Sequence, residues 1–258
     1  MVLKILPLLL ALMTSACSRG KTDPHVIADI PEASGICYSS GDNLLYVVGD
    51  EGNIYALSPE GKILRRKFLG KYDLEGIACD PKQHRLLAAV EGKEEVLVID
   101  PERFKLLRTV KIKRDYKGKT LLKKDKKHGF EGITIDDQGD LWISNQSKHY
   151  YPHADPSVIV RIDDLSHKKA KISGIIDPRK RDISGLAWQN GYLYMVSDTN
   201  DRLYRYNMSQ KRIDREIKLP KFAQEGVTFA PGGRLYFADD NGHVLMFDHK
   251  RAGSALQR

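Results

Sequence analysis

The sequence predicts an all-β protein, a five-bladed β-propeller whose repeats are about forty to fifty-five residues long. Two observations predict it: a short motif ending in glycine and an aliphatic residue recurs five times, and further strand-like segments follow each copy. The copies are Glu32–Ile36, Asp73–Ile77, Gly129–Ile133, Asp182–Leu186 and Ala223–Val227. Segments rich in Val, Ile, Tyr and Leu, bounded by Gly, Asp and Asn, are typical of strands.

Each motif begins the innermost strand of a predicted blade, and more strands follow it. The second strands are Leu45–Val48, Leu86–Ala89, Leu141–Ser144, Leu193–Val196 and Leu235–Ala238. The third strands are Asn53–Leu57, Val96–Asp100, Val158–Asp163, Leu203–Asn207 and Val244–Asp248. The first four repeats continue into a more charged fourth strand, such as Ile63–Phe68 or Ile213–Leu219. Four short antiparallel strands per repeat are typical of a propeller blade.

The fifth repeat has no fourth strand of its own, whereas His25–Ile30 is a strand without a repeat. Placing His25–Ile30 on the outer edge of the fifth blade closes the ring. A six-bladed ring is the alternative, but Arg114–Lys127 is too polar to supply a further blade. We therefore predict a propeller domain over 25–249, followed by a polar C-terminal tail, 250–258.

The N-terminal segment Met1–Ala16 has one lysine, a short apolar run and then small residues, which is the pattern of an export signal. Its apolar run is too short for a transmembrane helix, which needs about 20 residues. Small residues directly before Cys17 resemble the lipobox of bacterial lipoproteins, and this resemblance implies a fatty-acylated Cys17 (a palmitate-type lipoprotein) followed by a tether, 17–24. The alternative is a plain secretory signal that contains a cysteine.

An acylated Cys17 predicts a protein anchored to the membrane of the bacterial cell envelope. Ser18 stands where an aspartate usually retains such proteins in the inner membrane. In a cell with two membranes, the expected location is therefore the outer membrane, with the domain facing the periplasm.

The remaining cysteines, Cys37 and Cys79, both fall in strand-like segments. Buried free thiols are the common fate of cysteine in such segments, and we expect that state here. Export would also permit a disulfide between them.

The net charge of +8 is concentrated in one stretch, Arg103–His128, which is dense in lysine and arginine. Such a stretch can bind a polyanion or anionic lipid headgroups, or it can be a solvated outer strand and loop. Phe104 and Tyr116 are its only aromatic residues. Because single-stranded nucleic acid is bound by stacking on aromatic side chains, we expect no nucleic-acid partner.

Carboxylates recur at two positions that an up-and-down blade brings to the same face, the start of its first strand and the end of its second. Glutamate precedes the motif glycine in three blades, where the other two have Ser34 and Ser184. Acidic or amide residues end the second strands at Asp50, Glu91, Asn145–Gln146, Asp198 and Asp239–Asp240. Calcium accepts six to eight such oxygen ligands. The sequence therefore predicts a calcium site at the channel mouth, with Glu75, Glu131, Glu225, Asp50, Asp198 and Asp240 as ligands.

The alternative is structural, since carboxylates at strand ends also bond backbone amides in ordinary turns.

The blade motifs resemble the SdiA-regulated, YjiK-like family of bacterial proteins from Glu32 onward. The matching segments are Tyr46–Gly52, Asp73–Ala78 and Gln224–Phe229. The resemblance implies a five-bladed propeller with bound calcium, distantly similar to propellers with metal-dependent hydrolase sites.

Three insertions, Lys113–His128, Ser147–Pro156 and Asp177–Arg181, fall on the face of the mouth, and loops held by a rigid scaffold often carry function. Their histidines, His128, His149 and His153, are candidates for a general base or for solvated loop residues. The sequence has no nucleophile elbow and no phosphate-binding glycine loop. We expect a non-enzymatic module that binds a small molecule or a protein on this face. The alternative is a calcium-dependent hydrolase of phosphoester or lactone type.

The lipoprotein interpretation is tested by the variant Cys17→Ala. Because the thiol is the acylation site, we expect the variant to lose both metabolic fatty-acid label and membrane attachment. Undiminished label on the Cys17→Ala protein would contradict the anchor.

Overall fold

The computed structural model describes residues 24–124 and 128–247. The predicted signal 1–16, Cys17 and its tether up to residue 23, Asp125–Lys127 and the tail 250–258 lie outside the described residues. In the described part, strands and one short 3-10 turn, Pro231–Gly233, are the regular elements. None of the described helices has the length and apolarity needed to cross a membrane.

The strands form five blades of four antiparallel strands, which confirms the predicted fold. Blade 1 contains β2 (Ala33–Ser39), β3 (Leu44–Gly49), β4 (Asn53–Leu57) and β5 (Ile63–Phe68). Blade 2 contains β6 (Leu74–Asp80), β7 (Arg85–Val90), β8 (Glu95–Asp100) and β9 (Lys105–Ile112). A short hairpin follows, β10 (Asp115–Tyr116) and β11 (Lys119–Thr120). Blade 3 contains β12 (Phe130–Ile135), β13 (Leu141–Asn145), β14 (Val158–Ile162) and β16 (Gly174–Ile176). The short strand β15 (Lys169–Ala170), between β14 and β16 in the sequence, instead pairs in parallel with β9 at the outer edge of blade 2.

Blade 4 contains β17 (Gly185–Gln189), β18 (Tyr192–Ser197), β19 (Arg202–Asn207) and β20 (Arg212–Lys218). Blade 5 contains β21 (Gln224–Ala230), β22 (Arg234–Asp239) and β23 (His243–Phe247).

The N-terminal strand β1 (His25–Asp29) completes blade 5 by pairing with β23. The pairing is antiparallel: His25 lies opposite Met246, and Asp29 lies opposite His243. The backbone N–H of Ile30 then donates to the carbonyl of Gly242 at 2.9 Å. The ring closes as the sequence predicts, because a strand from one end of the domain fills the edge left open at the other.

Side chains that alternate along a strand enter different hydrophobic clusters. Tyr46 and Val48 of β3 pack against blade 2, whereas Leu45 and Val47 of the same strand pack against blade 5. Successive side chains of a strand point to opposite faces of the sheet, and both faces of a blade are covered by neighbouring blades. The five clusters therefore occupy the five interfaces between blades. The inner strands read as nearly continuous apolar segments for this reason.

The motif glycines lie where the innermost strands approach one another around the channel. A Cβ placed on Gly76 would lie 2.3 Å from the carbonyl oxygen of Glu131 in the next blade, closer than real Cβ contacts allow. A Cβ placed on each of the other four motif glycines would also meet an atom of the next blade. These contacts are Gly35 with Gly76 Cα (2.6 Å), Gly132 with Leu186 N (2.6 Å), Gly185 with Glu225 O (2.5 Å) and Gly226 with Ile36 N (2.9 Å). Each motif glycine thus packs on the following blade, and the fifth packs on the first.

The expectation of two free thiols is wrong, because Cys37 and Cys79 form a disulfide. Cys37 lies in β2 and Cys79 in β6, the innermost strands of adjacent blades, and their Cα atoms are 5.8 Å apart. That spacing lies within the range a disulfide spans. The close approach of neighbouring innermost strands is what brings the two residues together.

The basic segment does not form a sixth blade, which agrees with the sequence analysis. It continues from β9 into the hairpin of β10 and β11. It is more than a solvated loop, however, since Leu121 and Leu122 are buried in the cluster between blades 2 and 3. Arg114 also forms an ion pair with the buried Glu94 of blade 2.

We expect Gly76→Ala to lower the free energy of unfolding by about 3 kcal/mol or more, at the upper end of overpacking costs. The added methyl group meets backbone atoms of Glu131, which have no rotamer to change. Urea denaturation of the purified protein measures the effect.

The matched control is Gly41→Ala, whose Cβ would meet nothing nearer than Pro81 Cβ at 3.9 Å. We expect its stability to stay within about 1 kcal/mol of the parent. Equal stability of the two variants would contradict the close packing of the innermost strands.

Candidate functional site

The glutamates before the motif glycines lie in β-bulges. In blade 2, Leu74 pairs with Val90 and Gly76 pairs with Ala89, so no residue of β7 lies opposite Glu75. The same shift occurs at Ser34 in blade 1, at Glu131–Gly132 in blade 3 and at Glu225 in blade 5. Bulges redirect side chains and are common next to functional sites. The bulge therefore releases the glutamate from the alternation that buries its neighbours between blades.

The three predicted glutamates converge although they belong to different blades. Glu131 of blade 3 lies within electrostatic range of Glu75 of blade 2 and of Glu225 of blade 5. Glu131 is also 4 % exposed, so these charges interact away from bulk water. The structure thus brings Glu75, Glu131 and Glu225 together.

Glu75 also belongs to a tight local cluster with Asp73 and Glu91. Ligand atoms of these three carboxylates all lie within 4.8 Å of one another, close enough to share one metal ion. Glu91 ends the second strand of blade 2, a position that the sequence analysis identified without selecting this residue. Asp73 is a site residue that the prediction missed.

The predicted aspartates join the same acidic mouth in two groups. Asp50 and Asp240 each interact with Glu32 of blade 1. Asp198 and Glu225 each interact with Asp182 of blade 4. Glu32 and Asp182 are site residues that the prediction from the sequence did not include.

A signal for these missed residues is present in the motif. Glu32 and Asp182 stand three residues before the motif glycine, and Asp73 has the same place in blade 2. In the two blades that carry serine before the glycine, this earlier position supplies the carboxylate. The acidic mouth, defined as Glu32, Asp50, Asp73, Glu75, Glu91, Glu131, Asp182, Asp198, Glu225 and Asp240, thus draws on all five blades.

Burial and, after it, repulsion between carboxylates raise the pKa values of six carboxyls of the acidic mouth, those of Asp50, Glu75, Glu131, Asp198, Glu225 and Asp240. Burial, followed by interaction with Asp73, raises the pKa of Glu75 to about 10. Burial and the charges of Asp198 and Asp240 raise the pKa of Glu225 to about 8. The pKa of Asp50 rises to about 7, and that of Glu131 lies well above its usual range, again mainly through burial. In the metal-free protein, these carboxyls hold protons at pH values where exposed carboxyls have lost them.

A cavity of about 600 Å³ lies beside the mouth and is built from the insertions. Its walls include His128 from the first insertion, Lys148 and Tyr150 from the second, Arg179–Arg181 from the third, and Tyr204 from β19. Of the candidate histidines, His128 lines this cavity and His149 and His153 do not. The second insertion is held by hydrogen bonds from Asn145 Nδ2 to Pro156 O at 2.9 Å and from Ser147 Oγ to Asp155 O at 2.6 Å.

One side-chain amide connects the three insertions. Gln146 Nε2 donates to Asp182 Oδ1 at 3.0 Å, while Gln146 Oε1 lies 3.3 Å from His128 Nδ1. The same Asp182 lines the cavity and acts on Glu225 in the mouth. The cavity and the acidic mouth are therefore parts of one continuous site.

We expect the chelator-treated protein to become less stable as the pH rises from 5 to 8. The folded-state pKa values of Asp50, Glu75 and Glu225 exceed their unfolded values, so the folded state binds more protons. Stability then falls as the pH rises through the interval between the unfolded and folded pKa values. Thermal melts across this pH range measure the effect.

Calcium should oppose this loss, because a cation can replace the protons. At a hundred times the dissociation constant, we expect calcium to raise the Tm by about 5–10 °C, and magnesium to raise it less. The joint variant Glu75→Gln, Glu131→Gln and Glu225→Gln should lose most of both responses. Identical melts in chelator, calcium and magnesium would rule out a calcium site.

Several solved structures share the fold at low sequence identity. Glutaminyl cyclase of Myxococcus xanthus superposes with a TM-score of 0.63 and 16% identity, covering 87% of this chain and 94% of that one. The Cps50 (Swd1) propeller domain of Myceliophteria thermophila superposes with a TM-score of 0.51 and 12% identity, covering 87% of this chain and 99% of that one. Hydrazine synthase of Kuenenia stuttgartiensis superposes with a TM-score of 0.50 and 15% identity, covering 83% of this chain and 57% of that one. At these identities the likeness concerns the propeller fold.

No curated protein sequence matches the chain. A family model does match: residues 29–173 fit the model named Phytase-like, described as "Esterase-like activity of phytase". This agrees with a propeller family, while the narrower resemblance to SdiA-regulated, YjiK-like proteins stays a prediction. The match extends over more than half of the sequence, through blades 1 and 2 and into blade 3, and so the chain belongs to the phytase-like family.

Proposed function

We propose that this protein is a calcium-dependent ester hydrolase with its site at the acidic mouth. The observation that carries the proposal is the arrangement of the charges. Carboxylates from five blades converge at one end of the channel, and a cavity lined by lysine and arginine opens beside them. A cation in the mouth and an anionic or polar ester in the cavity would satisfy both halves of this arrangement.

The side chains of the mouth fit a hard cation. Asp50 Oδ1 is buried without a hydrogen-bond partner. Buried polar atoms are nearly always hydrogen-bonded, so such atoms suggest a ligand. The donor set of carboxylate and amide oxygens is the one that calcium prefers. We assign the predicted ligands Glu75, Glu131, Glu225, Asp50, Asp198 and Asp240 to calcium, with Asp73 and Glu91 completing the cluster around Glu75.

Calcium held by these carboxylates would supply Lewis-acid polarisation of an ester carbonyl or phosphoryl group. The protein's own residues hold and orient the groups around it. Gln146 fixes Nδ1 of His128, which leaves Nε2 available to move a proton in the cavity. Asp182 accepts hydrogen bonds from Gln146 and from the backbone and hydroxyl groups of Thr199, so it is held rigidly between mouth and cavity.

The non-enzymatic binding module expected from the sequence is the second candidate. One observation favours it: no described histidine forms a hydrogen bond or ion pair with a carboxylate of the acidic mouth. The mouth would then bind calcium for stability, and the looped face would bind a small molecule or a protein. The family description favours the hydrolase.

The proposed function includes a cellular location. A fatty-acylated Cys17 would anchor the domain to the cell envelope, at the periplasmic side of the outer membrane in a bacterium with two membranes. The basic segment 103–128 would bind a polyanion or anionic lipid headgroups, with no nucleic-acid partner. The local excess of lysine and arginine supports this.

Hydrolysis assays test the enzymatic proposal. We expect the purified protein to hydrolyse nitrophenyl esters or nitrophenyl phosphate with calcium and to lose activity in chelator. Glu131→Gln should lower kcat/KM by about 10–100-fold, the usual effect of disturbing a metal site. The matched control Glu60→Gln changes an exposed glutamate far from the mouth and should stay within twofold.

Two outcomes would contradict the hydrolase. One is activity that ignores chelator and the Glu131→Gln substitution. The other is the absence of turnover across these substrates in a protein that calcium stabilises, which would favour the binding module.

A further inference from the structure

We infer that the cavity between blades 3 and 4 is a specificity pocket for an organic oxyanion, a phosphate or carboxylate group carried by a small molecule. The description of that molecule as a substrate rests on the proposed hydrolase, but its binding in the cavity does not. The cavity has four features of such a pocket: unpaired cations, their fixed positions, its size and its contact with the acidic mouth.

Three of the four basic residues that line the cavity form no ion pair among the described residues. Lys180 Nζ is paired with Glu216 Oε1 at 2.7 Å. Among the described residues, by contrast, Lys148, Arg179 and Arg181 have no ion-pair partner. Three unpaired cations therefore border one concave surface, in a position where an oxyanion would satisfy them together. Hydrogen bonds between ionised groups are roughly twice as strong as neutral ones.

Aromatic rings hold two of the cationic groups against the cavity wall. The guanidinium of Arg181 lies 5.4 Å from the ring centre of Tyr150, and Lys180 Nζ lies 4.8 Å from that of Tyr204. A cation over a ring is attracted to its face, which limits the positions of the side chain. Arg181 keeps its planar fork of N–H donors, which matches the geometry of phosphate and carboxylate.

The volume indicates a ligand larger than a free inorganic ion. A cavity of about 600 Å³ lies in the range of sites for small organic molecules, which extends from roughly 300 to 1,000 Å³. Tyr150 and the buried Tyr204 give the cavity apolar surface beside its cations. The ligand is therefore an oxyanion with an organic body.

The cavity also meets the acidic mouth through Asp182. This carboxylate lines the cavity, and its charge acts on Asp198 and Glu225. A molecule bound by Lys148 and Arg181 would extend from the cavity toward the mouth. Lys148, Arg179 and Arg181 would then select substrates by charge, without acting on the reacting bond.

The test is equilibrium binding of three compounds that the protein does not hydrolyse: phenylphosphonate, benzoate and benzamide. Titration calorimetry is done on protein that has been stripped of metal with chelator and then dialysed free of it, because the chelator is itself a carboxylate and would compete. We expect at least one of the two anions to bind and benzamide to bind at least about tenfold more weakly, because it lacks the charge. The stronger of the two anions identifies phosphate or carboxylate as the preferred group. Benzamide binding as tightly as both anions would overturn the inference.

Substitutions then assign the binding to the cavity. We expect Lys148→Gln with Arg181→Gln to weaken anion binding at least about tenfold, since two charge-assisted contacts are removed. The control pair, Arg65→Gln with Arg66→Gln, removes two cations that also lie over aromatic rings but belong to β5, the outer strand of blade 1. It should bind within twofold of the parent. Equal weakening by both pairs would overturn the inference, and Arg181→Lys should retain part of the affinity.

The two proposals fail in different ways. Anion binding that depends on Lys148 and Arg181, in a protein that hydrolyses nothing, supports the pocket and contradicts the hydrolase. Calcium-dependent hydrolysis could instead proceed with equal kcat/KM for neutral and anionic esters and be unaffected by the paired substitution. That result would support the hydrolase and contradict the pocket.

Discussion

The close approach of five innermost strands around the channel is the constraint on which the rest of the structure depends. Each strand passes so near its neighbour that the motif position leaves no room for a Cβ, as at Gly76 against the backbone of Glu131. Because the strands lie so close, the bulge residue before each glycine, such as Glu75, comes within electrostatic range of its counterparts in other blades. The same approach permits the disulfide between β2 and β6. Ring closure, the acidic mouth and the covalent link between blades thus share one geometric cause.

Much of this could be predicted from the sequence, because repetition along the chain reports a repeated environment. The glycines, the strand order and the convergence of Glu75, Glu131 and Glu225 follow from it. Glu32 and Asp182 were missed because their motif position is acidic in three blades and Gly129 or Ala223 in the others. The disulfide was only the alternative to two free thiols, because sequence separation does not report the distance between strands. The cavity was missed because three remote loops build it, joined by the single amide of Gln146.

Two surfaces of opposite charge lie side by side on the looped face. In the mouth, burial and repulsion raise carboxyl pKa values, so the metal-free protein holds protons there. A cation bound there would have to displace these protons, so its binding would weaken as the pH falls. The neighbouring cavity has cations without carboxylate partners, and its rigidity comes from the hydrogen bonds of Asp182 and Gln146. A preorganised pair of sites lowers the entropic cost of binding a ligand that contacts both the acidic mouth and the cationic cavity.

The strand β1 closes the ring, and its direction has a further consequence. Asp29, at its C-terminal end, lies opposite His243, which follows the turn beside Asp240 at the mouth, whereas His25 pairs near the far end of β23. The chain that precedes His25 therefore joins the propeller at the face opposite the mouth. If Cys17 carries the acyl group, the domain is attached to the bilayer on the face opposite the mouth, and the acidic mouth and its cavity open toward the aqueous compartment. In that case the site would be open to dissolved compounds of the compartment that the domain faces.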